Sequence, residues 1–208
     1  MERIPIAGPS ITQLEIDYAA DAAAHGWYDR AGEYPRRFEQ AFASYIGVKH
    51  AVSLPSCTSG LHLALAALGI GPGDEVIVPN RTWIATAHAP FLLGATVKLV
   101  DVEVDRPIIN AKLIEQAITE KTRAIIPVHL CGRSADMRSI NDIAQRHNLT
   151  VIEDTAQALG SRNADGFLGT FSDIGCFSLG VSKLISTGQG GVVVTRDQNT
   201  YEKLKLMN

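Results

Sequence analysis

The chain has 208 residues, 46% of them hydrophobic, and a net charge of −3. That composition is ordinary for a soluble globular protein and gives no electrostatic reason to expect nucleic acid or an anionic membrane as a partner. No window holds the roughly 20 apolar residues needed to cross a bilayer, and MERIPIAGPS has no basic segment leading into an apolar run, so no secretory signal is expected.

In chain order, ITQLEIDYAADAAAHGW carries apolar residues at helical spacing and stops at Gly26. YPRRFEQAFASYIGVKH repeats the pattern: Phe38, Phe42, Tyr45 and Ile46 share a face, and Gly47 ends it. Short apolar runs then alternate with helical stretches. Strands are expected at 51–54, 75–79, 97–100, 124–128, 150–153, 175–178 and 191–195. EVIVP, AIIPV and TVIED read as continuously apolar, which means both faces are covered, as in a parallel sheet. The helices between them are LHLALAALG, IATAHAPFLLG, AKLIEQAIT and MRSINDIAQRHN, the first two ending at Gly69 and Gly94 in positions suited to a left-handed cap. This alternation predicts an α/β domain with a mostly parallel central sheet, helices on both faces and N-terminal helices before it. Its ligand site should lie beyond the carboxyl ends of the strands. The closing TYEKLKLMN reads as the start of a helix. Cys57, Cys131 and Cys176 are far apart, with no zinc-like spacing, and are expected as reduced thiols in a cytoplasmic protein.

The residues that follow the strands carry the chemistry. After AVSL comes PSCTSG and an apolar helix. Small hydroxyl residues at a helix N-terminus offer unpaired N–H groups and the positive end of the dipole, a seat for phosphate. Read alone, simple capping by Ser56, Thr58 or Ser59 explains the stretch as well. Trp83 follows VIVPNR, where its ring could stack on a ligand, although a single tryptophan in apolar surroundings is commonly core. Glu153 and Asp154 end a buried strand, where a carboxylate is costly unless paired. One of them could hold a protonated ring nitrogen while the other caps the next segment. Spacing favours Asp154 for the former, with Gln157 one helical turn on.

Lys183 stands in GCFSLGVSKLISTGQGG, a stretch with no other charge. Apolar neighbours imply partial desolvation, which favours a neutral, nucleophilic amine able to form a Schiff base with an aldehyde. The competing reading is a solvated surface lysine. The glycines of TGQGG, which imply close backbone packing, count against that reading. A phosphate seat, a stacking ring, a carboxylate for a pyridinium nitrogen and an imine-forming lysine are together what pyridoxal 5′-phosphate requires.

With these residues in place, the chain resembles the DegT/DnrJ/EryC1/StrS family of PLP-dependent sugar aminotransferases, of fold type I. The motifs are ordered along the chain from about Ile4: IPIAGPSI, HGW, FEQAFASYIGVKHAV, LHLALAALGIGPGDEVIVPNRTWIATA, GATVKLVDVE, VHLCGRSADM, VIEDTAQALGS and GTFSDIGCFSLGVSKLISTGQGGVVVT. The resemblance implies that Lys183 is the Schiff-base lysine and that Asp154 faces the pyridine nitrogen. It places Gln157 near the ring hydroxyl, Trp83 stacked on the ring, Thr58 and Ser59 at the phosphate, and Ser178 as a further phosphate contact. Cys57, His62, His88 and His129 keep structural readings. Trp27 and Tyr28 could approach the sugar, though an aromatic pair after a helix is usually core. Gln189 stands where an acidic residue is common, without a functional conclusion.

The resemblance further implies a homodimer with shared active sites, an amino donor that is L-glutamate or L-glutamine, and an acceptor that is a nucleotide-linked keto-sugar or a cyclitol. TWIATA resembles the cyclitol branch but does not decide between them. Residues 1–208 correspond to the PLP-binding large domain with its N-terminal helices; the family's smaller C-terminal domain has no counterpart here, so the sequence is expected to be part of a longer protein. Two alternatives stay open. A PLP- or PMP-dependent sugar dehydratase is disfavoured because that branch has histidine at the lysine position. A non-catalytic cofactor-binding fragment is the other.

Overall fold

The structure, a computed structural model, describes residues 10–208, so residues 4–9 of the opening motif lie outside the described residues. Among the described residues, the elements run from α1 (Gln13–His25) and α2 (Glu33–Ile46) to β1 (His50–Leu54), α3 (Cys57–Ala67) and β2 (Glu75–Pro79). Then come α4 (Ala85–Leu92), β3 (Thr96–Val100), α5 (Ala111–Ala117), β4 (Thr122–Ile125), α6 (Met137–His147) and β5 (Thr150–Asp154). A hairpin, β6 (Arg162–Asn163) and β7 (Gly166–Phe167), precedes β8 (Ile174–Ser178), β9 (Gly191–Thr195) and α7 (Gln198–Met207).

Among the described residues, seven strands form one sheet in the order β1-β9-β8-β5-β4-β2-β3. Pairing is parallel from β8 through β5, β4 and β2 to β3, and antiparallel on both sides of β9. β9 alone therefore runs against the others. It reaches β8 through a loop with no helical crossover, and an antiparallel return is what such a connection permits. Alternate residues divide between the two faces, as period-two geometry requires. Val76, Val78 and Val193 pack with α3, α4 and α7, through Leu61, Leu65, Ala89 and Leu204. Ile77, Ile125 and Val151 pack with Ile114 of α5 and Ile140 and Ile143 of α6. Val192, Val194 and Phe177 meet Phe42 and Ile46 of α2. The expected helices on both faces are present, and every expected strand position is occupied.

Three details depart from the pattern. The strand expected to run to 128 closes at Ile125, because Pro127 has no N–H to continue the ladder; pairing resumes only as a bridge between Val128 and Asp154. α1 is a helix, with a Thr12–Glu15 capping box, but it buries no residue, and its Leu14, Ile16 and Tyr18 stay exposed. On α2, Phe42 and Ile46 are core, whereas Tyr45 is exposed against Phe167. The glycine caps follow the sequence reading: Gly47, Gly69 and Gly94 have φ of 75°, 76° and 80°.

Candidate functional site

The carboxyl ends of β1, β2, β4, β5 and β8 open on one cavity of about 470 Å3. Each strand delivers part of the lining: Thr58 after β1, Trp83 after β2, Val128 after β4, Asp154 and Gln157 at the end of β5, and Ser178 and Lys183 after β8. Six of the seven residues singled out from sequence thus meet in one place.

Ser59 is the seventh and does not line the cavity. It belongs to the capping box of α3: its N–H donates to Ser56 Oγ at 3.1 Å, and its hydroxyl lies 3.0 Å from the same oxygen. Ser56 caps α3 and, with Thr58, also lines the cavity, so both readings of PSCTSG hold within this one turn. Gly191, the first residue of β9, lies so close that a Cβ there would fall on the Ser56 carbonyl and the Cys57 nitrogen. The β9 backbone and the N-terminus of α3 are pressed together directly below the cavity.

Asp154 is 4% exposed. Its Oδ2 accepts from the Thr86 hydroxyl at 2.7 Å and its Oδ1 from the Ala156 N–H at 3.1 Å. Burial pushes the carboxyl above the usual carboxylate range; the Thr86 and Ala156 bonds and the Lys183 charge oppose that push. Cys57 and Cys176 are buried beside it, and burial first, then the Asp154 charge, raises both thiols well above their ordinary value. They are inert packing groups. Cys131 is exposed, and all three cysteines are unpaired.

Glu153 points away from the cavity. Fully buried, it accepts from His129 Nε2 at 2.8 Å, from the N–H groups of Gly169, Phe171 and Ser172 at 2.8, 2.8 and 2.9 Å, and from the Ser172 hydroxyl at 2.8 Å. His129 Nδ1 accepts the Ala135 N–H at 3.2 Å, so the ring carries its hydrogen on Nε2. The acidic pair left open by sequence is thereby resolved in space: Asp154 faces the cavity, and Glu153 fastens two loops together. His129 has the structural place expected of it.

Trp83 is 72% exposed at the cavity edge, not in the core. Gln157 accepts the Cys131 N–H on Oε1 at 3.1 Å, which leaves its amide N–H groups as donors. Ser178 Oγ accepts weakly from the Gly180 N–H at 3.5 Å. Lys183 is half-buried, although its apolar neighbours do not enclose it: Val181, Leu184 and Ile185 are exposed, Leu184 to 82%. Trp27 and Tyr28 are also exposed and do not line the cavity. Among the described residues no His, Cys, Asp and Glu cluster is arranged to hold a metal ion. The residue missed by sequence is Thr86, buried in the apolar-looking IATA, whose only signal was a hydroxyl one helical turn from Thr82.

An amine and a buried carboxylate converging at the carboxyl ends of such a sheet define the fold type I class of pyridoxal phosphate proteins. The family comparison is specific: residues 9–208 match the model of the DegT/DnrJ/EryC1/StrS aminotransferase family, and the chain belongs to that family, whose aminotransferases are PLP-dependent. It is 43% identical over 207 residues to GDP-perosamine synthase of Caulobacter vibrioides, covering all of this chain and 56% of that protein. Among solved structures, DesV of S. venezuelae superposes with TM-score 0.88 at 43% identity, over 93% of this chain and 53% of that one. The PLP form of the sugar aminotransferase Spr1654 from Streptococcus pneumoniae superposes with TM-score 0.90 at 31% identity, over 99% of this chain and 57% of that one. The chain spans about half the length of the curated relatives it matches.

Proposed function

We propose that this chain is the cofactor-binding large domain of a PLP-dependent aminotransferase that moves an amino group from L-glutamate or L-glutamine to a keto group on a nucleotide-linked sugar. The observation that carries the reading is the meeting of Lys183, Asp154 and the N-terminus of α3 in one cavity.

The donor set fits pyridoxal 5′-phosphate. When bound, the cofactor supplies an electron sink for the carbon that carries the amino group. This chain's residues do the rest. Thr58, Ser178 and the N–H groups of α3 take the phosphate charge. Asp154 holds a proton on the ring nitrogen, and its burial makes that charged contact strong. Trp83 would cover a ring face, and the Gln157 amide would donate to the ring hydroxyl. Lys183 would hold the cofactor through its amine and, with that amine free, would be the group that moves a proton at the substrate carbon.

The finer reading of the acceptor follows the relatives. The first two curated matches, from Caulobacter vibrioides and Escherichia coli O157:H7, are both GDP-perosamine synthases at 43% identity, which favours a GDP-linked keto-sugar over a cyclitol. The protein would act as a cytoplasmic homodimer, each active site shared between subunits. No described helix is long and apolar enough to cross a membrane.

The test is a screen of GDP-linked and other nucleotide-linked keto-sugars, with inosose, against the full-length protein supplied with PLP and L-glutamate. Formation of 2-oxoglutarate with a GDP-linked acceptor is the expected result. Turnover of inosose alone would overturn the acceptor assignment, and cofactor binding without any turnover would overturn the enzymatic one.

A further inference from the structure

We propose that Thr86, backed by Thr82, is a positioning residue for Asp154: it keeps the carboxylate ionised and aimed into the cavity, and so sets how tightly the protein holds a protonated heteroaromatic ring. The inference rests on the reading of Asp154 as the partner of the cofactor's ring nitrogen.

Proton counting carries the argument. Thr86 is fully buried, and its Oγ1 has three neighbours: Asp154 Oδ2 at 2.7 Å, Thr82 Oγ1 at 2.8 Å and the Trp83 carbonyl oxygen at 3.1 Å. A hydroxyl has one hydrogen to donate. The Trp83 carbonyl already accepts the Thr86 backbone N–H at 3.1 Å. An ionised Asp154 has no hydrogen of its own, so Thr86 donates to it, and the Thr82 hydroxyl must then donate to Thr86. The chain runs one way, from Thr82 through Thr86 to Asp154. Protonation of Asp154 reverses its last link: the acid donates to Thr86, whose hydrogen turns to the Trp83 carbonyl. The charge-assisted bond is lost in that arrangement, and such bonds are about twice as strong as neutral ones.

The same side chain ties two parts of the site together. Thr86 stands at the start of α4, just past the loop that carries Trp83, and Asp154 ends β5. One hydroxyl therefore fixes the ring-covering indole's backbone and the nitrogen-facing carboxylate relative to each other. Each Asp154 oxygen accepts one hydrogen bond from the protein and keeps acceptor capacity for a ligand. The titratable groups facing Asp154 are Cys57 at the start of α3, His129 after β4, Cys176 on β8 and Lys183 after β8. Among the described residues none of these four is hydrogen-bonded to the carboxylate, so the hydroxyl pair is its side-chain support.

The experiment measures PLP affinity of the cofactor-free full-length protein across pH, together with the Asp154 carboxyl infrared band before cofactor is added. Thr86→Val should weaken PLP binding by about tenfold to a hundredfold, as expected for one lost hydrogen bond to a charged group. It should also move the acid limit of binding and the carboxyl band transition to higher pH. Thr86→Ser should restore both, and Thr82→Val should shift both in the direction of Thr86→Val by less. Asp154→Asn separates the two claims. If Asp154→Asn loses affinity while Thr86→Val matches the parent in affinity and pH limit, this proposal is overturned and the role of Asp154 stands. If Asp154→Asn binds PLP as the parent does, the role of Asp154 is overturned. Should Thr86→Val fail to fold, Thr82→Val decides alone, and an unshifted carboxyl transition in it overturns the proposal.

Discussion

Glu153→Gln tests the buried network behind the site. The carboxylate has five donors around it, two on Oε2 (His129 Nε2 and Gly169 N–H) and three on Oε1. An amide keeps one acceptor oxygen. Its least disruptive orientation leaves that oxygen with the three donors and turns the NH2 toward His129 and Gly169. His129 cannot switch its hydrogen to Nδ1 without facing the Ala135 N–H, which now donates there at 3.2 Å. Two buried donors thus lose their acceptor, at about 1–3 kcal/mol each, and the expected loss is about 2–6 kcal/mol. In urea unfolding followed by fluorescence, with a slope of about 3 kcal/mol/M, the midpoint should fall by roughly 1–2 M with the slope unchanged. Hydrogen exchange should quicken first at Gly169, whose N–H loses its acceptor. A loss below about 1 kcal/mol would show that the network does not hold these loops, and the argument from donor counting would fail.

Asp154→Asn should raise the melting temperature of the cofactor-free protein above neutral pH while abolishing tight PLP binding. A carboxyl raised by burial binds its proton more firmly folded than unfolded, so its contribution to stability falls as pH rises from the ordinary carboxylate value through the folded one. The amide removes that cost, because Thr86 can accept from the new NH2 and donate to the Trp83 carbonyl; a melting temperature unchanged or lower at pH 8 would contradict this. Gly191→Ala should weaken PLP binding at least about tenfold, since the added carbon meets the Ser56 carbonyl and displaces the N-terminus of α3. Circular dichroism would verify that the fold is kept, and parental affinity would show that the close approach is not needed. Trp83→Ala should reduce PLP affinity by about fivefold to tenfold, the scale of one stacking contact, with little change in melting temperature because the ring is exposed. A large thermal loss in that variant would mean that the indole supports the fold.

The strands and the cavity residues were legible in the sequence because they follow from local rules. Continuous apolar runs such as EVIVP mark buried strands, and in such a sheet the positions just past them converge. What escaped was nonlocal or had a side chain of the wrong type to attract notice. Pro127 shortened a strand that apolarity alone extended to 128. The reversal of β9 depends on how its loop returns, which no residue pattern within the strand encodes. The β6–β7 hairpin has strands of two residues, too short for any periodicity. Ser59 and Thr58 are adjacent hydroxyls on a helix start, and only the helix phase decides that Ser59 closes the capping box while Thr58 lines the cavity. Thr86 looked like filler in an apolar helix; its importance appears once β5 brings Asp154 beside it.

The central claim is that the Lys183 amine forms the covalent bond to the cofactor. Borohydride reduction of the full-length protein loaded with PLP, followed by digestion and mass mapping, tests it directly. The account predicts one reduced pyridoxyl group, carried by the peptide containing Lys183 and absent from Lys183→Ala. Labelling of a different lysine, or no stable label on a protein that binds PLP, would contradict it.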